Sequence, residues 1–210
     1  LGRQELEGKL LTEVAGALWP AGDLERAGVD ILPALDRVVV AVDPPVTGHK
    51  GSDECGIVVA GVSMDGEPRD WRAFVPEDAT VAAASPLEWA RAVSRAAERH
   101  RADRVVAEVN QGGALVETML RQVDPAMPVR SVRASRGKVA RAEPVAALYE
   151  QGRVYHVRGL DALEEQMGEM ARSGFVGRGS PDRVDALVWA LHEAILEPSD
   201  AWRRPRMRAI

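Results

Sequence analysis

Four acidic residues lie where a folded chain could bring them together. Asp43 ends a run of valines and is followed by two prolines, which cannot continue a β-ladder, so this acid marks the end of a predicted strand. Glu108 lies near the end of a second apolar run, and Asp182 and Asp185 follow a Ser-Pro pair that is typical of a helix start. Taken alone, an aspartate at a strand end is more simply explained as a turn former. It is the combination of the four acids that indicates a functional site.

Carboxylates that share a site repel one another unless a cation lies between them. Mg²⁺ and Mn²⁺ prefer oxygen ligands and leave room for water and phosphate in the coordination shell. Where two such ions lie about 4 Å apart, one activates the attacking water and the other stabilises the leaving oxygen of a phosphodiester. A cluster of Asp43, Glu108 and Asp185 with Mg²⁺ or Mn²⁺ therefore favours hydrolysis of a nucleic-acid backbone.

The spacing of apolar residues predicts an α/β fold that would position these acids. Strands are predicted at 37–43, 55–62, 71–75, 103–109, 128–132 and, shorter, 154–157. Helices are predicted at 85–100, 112–123, 144–151, 160–171 and 180–198. The first three strands form an antiparallel meander, and a right-handed crossover then places the fourth strand beside the first, with Glu108 next to Asp43. The resulting sheet is mixed and five-stranded, with two parallel strands added to the meander and a further short strand or hairpin before the last helix.

The chain divides into a connecting segment, a main domain and a basic tail. Residues 1–36 include a helical pattern at 4–14 and are predicted to pack on the main domain as a linker. The main domain spans residues 37–198. Residues 199–210 form a tail that carries four arginines.

The composition limits the class of protein. The 210 residues, 46% of them apolar, can build one sizeable domain. The formal net charge of −5 argues against a protein that coats nucleic acid by bulk electrostatics, although the stretch from Arg130 to Arg141 is basic and contains no acid. The single cysteine, Cys55, excludes an internal disulfide framework. There is no apolar run of membrane-spanning length and no secretory signal, so we expect a soluble, cytoplasmic protein.

Some other residues are explained without a direct chemical role. Trp89 and Trp189 are predicted to be core residues of amphipathic helices. Gly112-Gly113 follows the fourth strand but lacks the lysine and spacing of an ATP-binding loop, so no ATPase activity is expected.

The glycine-rich segment at 174–179 is predicted to form a hairpin or loop beside the acids, with Arg178 as a contact to DNA.

Four motifs together resemble a known family. They are Val40-Ala41-Val42-Asp43-Pro44, Asp53-Glu54-Cys55-Gly56-Ile57-Val58, Val106-Ala107-Glu108-Val109-Asn110 and Ser180-Pro181-Asp182-Arg183-Val184-Asp185-Ala186-Leu187. In order and spacing they resemble the carboxyl-terminal nuclease domain of the large subunit of viral DNA-packaging terminases, of the tailed-phage or gene-transfer-agent type, in the ribonuclease H-like superfamily. The resemblance spans most of residues 37–197. Residues 1–36 look like the segment that follows the packaging ATPase domain in such proteins.

The resemblance implies a divalent-metal-dependent endonuclease that cuts double-stranded DNA with low sequence specificity during genome packaging, by two-metal hydrolysis. Asp43, Glu108 and Asp185 match the metal-binding acids of the family and are the expected catalytic residues. Asp182 is either an additional metal ligand or an anion that stabilises the helix start.

The resemblance also implies the partners. Lys138 and Arg141 match a basic segment that is expected to contact DNA phosphates. The expected partners are double-stranded DNA, the ATPase domain of the same full-length protein, the portal and the small terminase subunit, in the host cell cytoplasm. Two alternatives stay open: a structure-selective nuclease similar to Holliday-junction resolvases, and a non-catalytic docking module of a packaging motor. Preference for a four-way junction would indicate the first, and the absence of divalent-metal binding the second.

Overall fold

A mixed β-sheet with helices on both faces forms the centre of the protein. The computed structural model describes residues 14–45, 54–82, 84–109 and 113–197. The strands are β1 (Gly28–Val29), β2 (Arg37–Asp43), β3 (Glu54–Ser63), β4 (Arg72–Asp78), β5 (Val81–Ala82), β6 (Arg104–Glu108), β7 (Val129–Val132), β8 (Val154–Val157), β9 (Met170–Ala171) and β10 (Gly174–Phe175). The helices are α1 (Ala21–Ala27), α2 (Pro86–Arg99), α3 (Gly113–Val123), α4 (Lys138–Glu150), α5 (Asp161–Gly168) and α6 (Asp182–Leu191), and α6 continues into a π-helical segment, His192–Leu196.

The order of the strands confirms the predicted α/β fold. Strands β4, β3 and β2 form the antiparallel meander, and β6 and β7 are added to β2 as parallel strands. The sheet then extends beyond the five predicted strands, because β8 lies parallel to β4 and β1 lies parallel to β8. These two added strands, β1 and β8, contain only two and four residues, which is too short for their periodicity to indicate a partner.

Alternate residues of β2 face two separate apolar cores. Val39 and Ala41 pack on the side that carries α4, α5 and α6, whereas Val40 and Val42 pack against α2 and α3. None of the four is exposed to solvent. A strand covered on both faces explains the uninterrupted run of apolar residues that precedes Asp43.

One helix start agrees with the sequence and another does not. The predicted capping box at the start of α2 is present, and the Ser85 N–H donates to Glu88 Oε2 over 2.8 Å. Helix α4, however, begins at Lys138 rather than at 144. Pro144 therefore lies inside the helix, which costs a backbone hydrogen bond. The burial of apolar residues of α4, such as Val145, in the core outweighs this local preference.

The segment before α6 also differs from the prediction. Helix α5 ends at Gly168 instead of 171, because Met170–Ala171 form β9 and pair with β10 in the predicted hairpin. Pro181, not Ser180, is the N-cap residue of α6. Regular α-helical structure ends at Leu191, earlier than the predicted end at 198.

The described part of residues 1–36 packs tightly on the sheet and on α4. Trp19 is completely buried, and its ring meets the Tyr149 ring edge to face at 6.3 Å between centroids. The division of the chain at 36 stays a prediction. The helical pattern at 4–14 falls almost entirely outside the described residues, as does the basic tail at 199–210.

In the part of the chain that the structure describes, no helix has both the length and the apolar character needed to cross a bilayer.

Candidate active site

The register of β2 and β6 brings Asp43 and Glu108 together. In this parallel pair Val42 lies opposite Ala107, so the next residue of each strand is an acid at the same edge of the sheet. Side chains alternate along a strand, and Ala41 belongs to the core on the α6 side. Asp43 therefore faces the layer of α4 and α6, as does Glu108, which is only 7% exposed.

A glycine lets the start of α6 approach this edge closely. Gly56 on β3 lies opposite Asp43 in the antiparallel pair. A Cβ atom at Gly56 would overlap the backbone carbonyl oxygen of Asp182. Because Gly56 has no side chain, α6 can bring Asp182 and Asp185 against the strand ends, where these acids are 9% and 2% exposed.

Arg183 fixes α6 to the sheet from the outer side. Its Nε–H donates to Asp78 Oδ2 over 2.8 Å, and Nη1 pairs with the carboxylate of Glu54 at the start of β3. The Arg183 backbone N–H donates to Gln166 Oε1 over 3.1 Å. These contacts tie the first turn of α6 to β3, β4 and α5, and so hold the acids of α6 in place.

Two cations from α4 pair with the acids. Lys138 Nζ lies 2.5 Å from Asp185 Oδ2 and also donates to Ser180 Oγ over 3.1 Å. Arg141 is 8% exposed and contacts two carboxylates, with Nη2 3.2 Å from Asp185 Oδ1 and Nη1 3.4 Å from Glu108 Oε2. Because α4 starts at Lys138, both cations lie on its first turns and face the strand ends.

Trp189 completes the surroundings of Glu108. Its indole Nε1–H donates a hydrogen bond to Glu108 Oε2 over 2.5 Å. The Arg141 guanidinium lies over the indole ring, with Cζ 4.8 Å from the ring centroid, a cation–π arrangement. Glu108 therefore contacts a neutral donor, Trp189, and a cation, Arg141.

The electrostatics of the cluster reflect several acids in a small buried volume. Burial raises the pKa of Asp43 well above its usual range, and the charges of Glu108, Asp185 and Asp182 raise it further, while Lys138 opposes them. Burial also raises the pKa of Asp185, although its ion pairs with the cations of α4 act in the opposite direction. Positive charge placed among these acids would stabilise their ionised forms.

The donor set fits a hard divalent cation. Asp43, Glu108, Asp182 and Asp185 offer only carboxylate oxygens, which Mg²⁺ and Mn²⁺ prefer. Within the described ranges, no three His, Cys, Asp or Glu side chains are already arranged to hold a metal ion. The oxygens of Glu108 and Asp185 instead contact the cations of α4 and Trp189.

The predicted site residues do not all meet at this cluster. The four acids, Lys138 and Arg141 are brought together. Arg178 is exposed in the segment between β10 and α6, and no hydrogen bond or ion pair links it to the acids in the described part of the chain. Its predicted contact with DNA stays a prediction.

The motifs around the site define the family. A sequence model described as "Terminase RNaseH-like domain" matches residues 40–194, a range that contains all four acids and both cations. The chain belongs to this family. The comparison with curated protein sequences gave no match.

Solved structures of terminase nucleases share the fold of this terminase RNaseH-like domain. The nuclease domain of the large terminase subunit of bacterial virus Sf6 has 14% identity and a TM-score of 0.64, over 84% of this chain and 98% of that chain. The large terminase nuclease from thermophilic phage G20c with bound magnesium has 15% identity and a TM-score of 0.62, over 86% and 99%. A large terminase from another thermophilic bacteriophage has 11% identity and a TM-score of 0.62, over 84% of this chain but 44% of that chain.

Sequence reasoning missed two residues that shape the site of this terminase RNaseH-like domain. Trp189 was predicted to lie in the core, yet it follows Asp185 by four residues, which places both on one helix face. That spacing was the available signal. Arg183 gave no comparable signal, because its partners Glu54 and Asp78 lie more than a hundred residues earlier in the chain.

Proposed function

We propose that the chain is a metal-dependent endonuclease that cuts double-stranded DNA with low sequence specificity during viral genome packaging. The observation that carries the proposal is the convergence of Asp43, Glu108 and Asp185 at one edge of the sheet in a terminase RNaseH-like domain. Mg²⁺ or Mn²⁺ is the cofactor. The magnesium-bound structure of the G20c nuclease, which shares this fold, supports that choice.

The proposed metal ligands come from both the sheet and α6. Asp43 is next to its strand partner Glu108 and interacts electrostatically with the α6 acids, so Asp43, Glu108 and Asp185 would together hold the metal. Asp182 is a further ligand or an anion at the helix start. When bound, the two ions supply an activated water and stabilise the leaving oxygen of the phosphodiester.

The cations of α4 pair with the acids of the site and would also neutralise the charge of the substrate phosphate. Lys138 and Arg141 pair with Asp185 in the structure, and Arg141 also contacts Glu108. If the acids bind metal, Lys138 and Arg141 would be free to hold the non-bridging oxygens of the scissile phosphate. Contacts of this kind address the DNA backbone and carry no sequence information, which supports low sequence specificity.

The proposal extends to the wider assembly. The chain matches less than half of the large terminase from the second thermophilic bacteriophage, which supports a place beside a packaging ATPase domain in a longer protein. We include the portal, the small terminase subunit and the cytoplasm of the host cell in the proposal. The terminase family match favours this function over a junction resolvase.

The test is cleavage of plasmid DNA in Mg²⁺ and in Mn²⁺ by the wild type, Asp43→Ala and Asp185→Ala. Glu98→Ala is the matched control, because Glu98 is an exposed acid of α2 on the opposite face of the sheet. We expect cleavage by the wild type and by Glu98→Ala, and none by the two site variants. Cleavage that survives a chelator, or that is equal in all four proteins, would overturn the proposal.

A further inference from the structure

A cavity of about 500 Å³ opens directly beside the carboxylate site. It lies between the loop that joins β7 to α4 and the C-terminal end of α6, and its lining includes Arg133, Arg136, Arg141, Pro144, Trp189 and His192. Arg141 and Trp189 belong to both places, since they contact Glu108 on one side and line the cavity on the other. The cavity and the carboxylate site therefore adjoin each other through these two side chains.

One arginine of the cavity wall already has an acidic partner. Arg130 pairs with Glu193, which is 4% exposed in the π-helical segment and also accepts a hydrogen bond from Arg104 Nη1 over 2.6 Å. This buried carboxylate joins β6, β7 and the end of α6. Arg130 therefore supports the wall of the cavity through an acid that it shares with Arg104.

Arg133 and Arg136 remain available. Both are exposed, and neither forms an ion pair with an acid in the described ranges of the chain. At the inner end of the cavity, the Nε–H of the buried Arg141 has no hydrogen-bond partner among the described residues. Glu197 is the one acid among the lining residues. The cavity therefore combines two unpaired cations with a buried unpaired donor, which favours an anionic ligand.

The rest of the lining is apolar. Val132, Pro144, Trp189 and Leu196 are all partly exposed and form an apolar wall. A ligand that suits both parts of the cavity carries a negative charge beside an uncharged body. A phosphodiester unit of a DNA strand has this combination.

We infer that this cavity binds a backbone phosphate of the DNA strand next to the scissile one. Arg133 and Arg136 hold the phosphate oxygens, and the sugar lies against Pro144 and Trp189. The inference rests on the proposed function, because the strand must lie across the carboxylate site to reach the cavity. It adds a direction for the bound strand, from the acids at the edge of β2 and β6 towards the loop at 133–137.

The test measures DNA binding without cleavage, so that its outcome is independent of nuclease activity. Binding of a short DNA duplex is followed in a chelating buffer over a series of salt concentrations. Each phosphate that is neutralised contributes about 0.9 to the magnitude of the slope of log K against log salt, so Arg133→Ala/Arg136→Ala, which removes the contacts to one phosphate, should reduce that magnitude by about one and weaken binding several-fold. Arg133→Lys/Arg136→Lys keeps both charges and should retain the wild-type slope.

The matched control is Arg91→Ala/Arg95→Ala, which removes two exposed arginines from α2 on the other face of the sheet. It should bind DNA with the wild-type slope. Thermal melting of each variant separates lost binding from lost folding. A wild-type slope in Arg133→Ala/Arg136→Ala, or an equal loss in the α2 control, would overturn the inference. Neither result would contradict the proposed nuclease activity, which the plasmid assay tests separately.

Discussion

The indole N–H of Trp189 lies 2.5 Å from Glu108 Oε2 and donates a hydrogen bond to it. This bond joins a helix residue to an acid at the end of a strand. Partners of metal-binding carboxylates usually matter for metal affinity, because they orient the ligand.

Trp189→Phe removes this donor and keeps an aromatic ring over Arg141. We expect Mn²⁺ affinity or cleavage rate to fall by about ten- to a hundredfold, the range typical of such outer partners. Calorimetric titration with Mn²⁺ measures the affinity directly. Trp89→Phe is the control, since Trp89 is a buried tryptophan of α2 in the other core, and its loss should lower stability alone. An unchanged Mn²⁺ affinity in Trp189→Phe would show that Glu108 does not depend on the bond.

Asp43→Asn should stabilise the metal-free protein at neutral pH. Burial, together with the charges of Glu108, Asp185 and Asp182, holds the pKa of Asp43 well above its usual range. The folded protein therefore keeps a proton that the unfolded chain has lost. The free energy of unfolding falls as the pH rises from the usual aspartate range through the raised pKa.

Asparagine cannot ionise, so the free energy of unfolding of the variant does not fall in this way as the pH rises. Its melting temperature should exceed that of the wild type at neutral pH, and the two should converge below about pH 4, where the acid is protonated in both states. Thermal melts in a chelating buffer over this pH range provide the measurement. Asp65→Asn, at an exposed position between β3 and β4, should track the wild type. A difference that does not vary with pH would contradict the electrostatic explanation.

Gly56→Ala should disrupt the approach of α6 to the sheet. The new methyl group would overlap the carbonyl oxygen of Asp182, which is backbone and cannot rotate away. We expect a loss of about 1–3 kcal/mol in the free energy of unfolding, measured by urea denaturation, together with weaker Mn²⁺ binding. Gly168→Ala, where a Cβ meets nothing within 4 Å, should leave both unchanged or slightly raise stability. Equal stability of the two variants would contradict the close approach.

Arg183→Ala should loosen the first turn of α6. The substitution leaves Asp78 and Glu54 without their shared partner, and Asp78 is largely buried. Bonds to charged groups of this kind are worth about 1.5–3 kcal/mol, so we expect a loss of that size in urea denaturation. Arg69→Ala breaks an exposed pair with Glu67 and should cost less than about 1 kcal/mol. Similar losses in both variants would show that the Arg183 contacts behave as surface pairs.

The sequence predicts the meeting of Asp43 and Glu108 well, because two strong patterns agree. A valine run sets the strand, and the handedness of the crossover sets its neighbour. Both depend on short-range regularity, which a single sequence displays. The start of α6 was also visible within a residue or two, from its serine and proline.

Contacts between distant segments could not be predicted in the same way. The pairing of Arg183 with Asp78 joins side chains whose positions depend on the whole fold. The start of α4 at Lys138 contradicts the local preference of Pro144, since burial of the helix decides it. The place of β8 beside β4 follows from the space left at the sheet edge, not from its four residues.

The ion pair between Lys138 and Asp185 gives the metal-free site a cation of its own. If Asp185 binds a metal ion, as proposed, the ion would replace this tethered ammonium group as the partner of the carboxylate. The Lys138 side chain would then be released beside the place where the proposed function puts a DNA phosphate. Metal binding and the freeing of a cation for phosphate would be one exchange of partners.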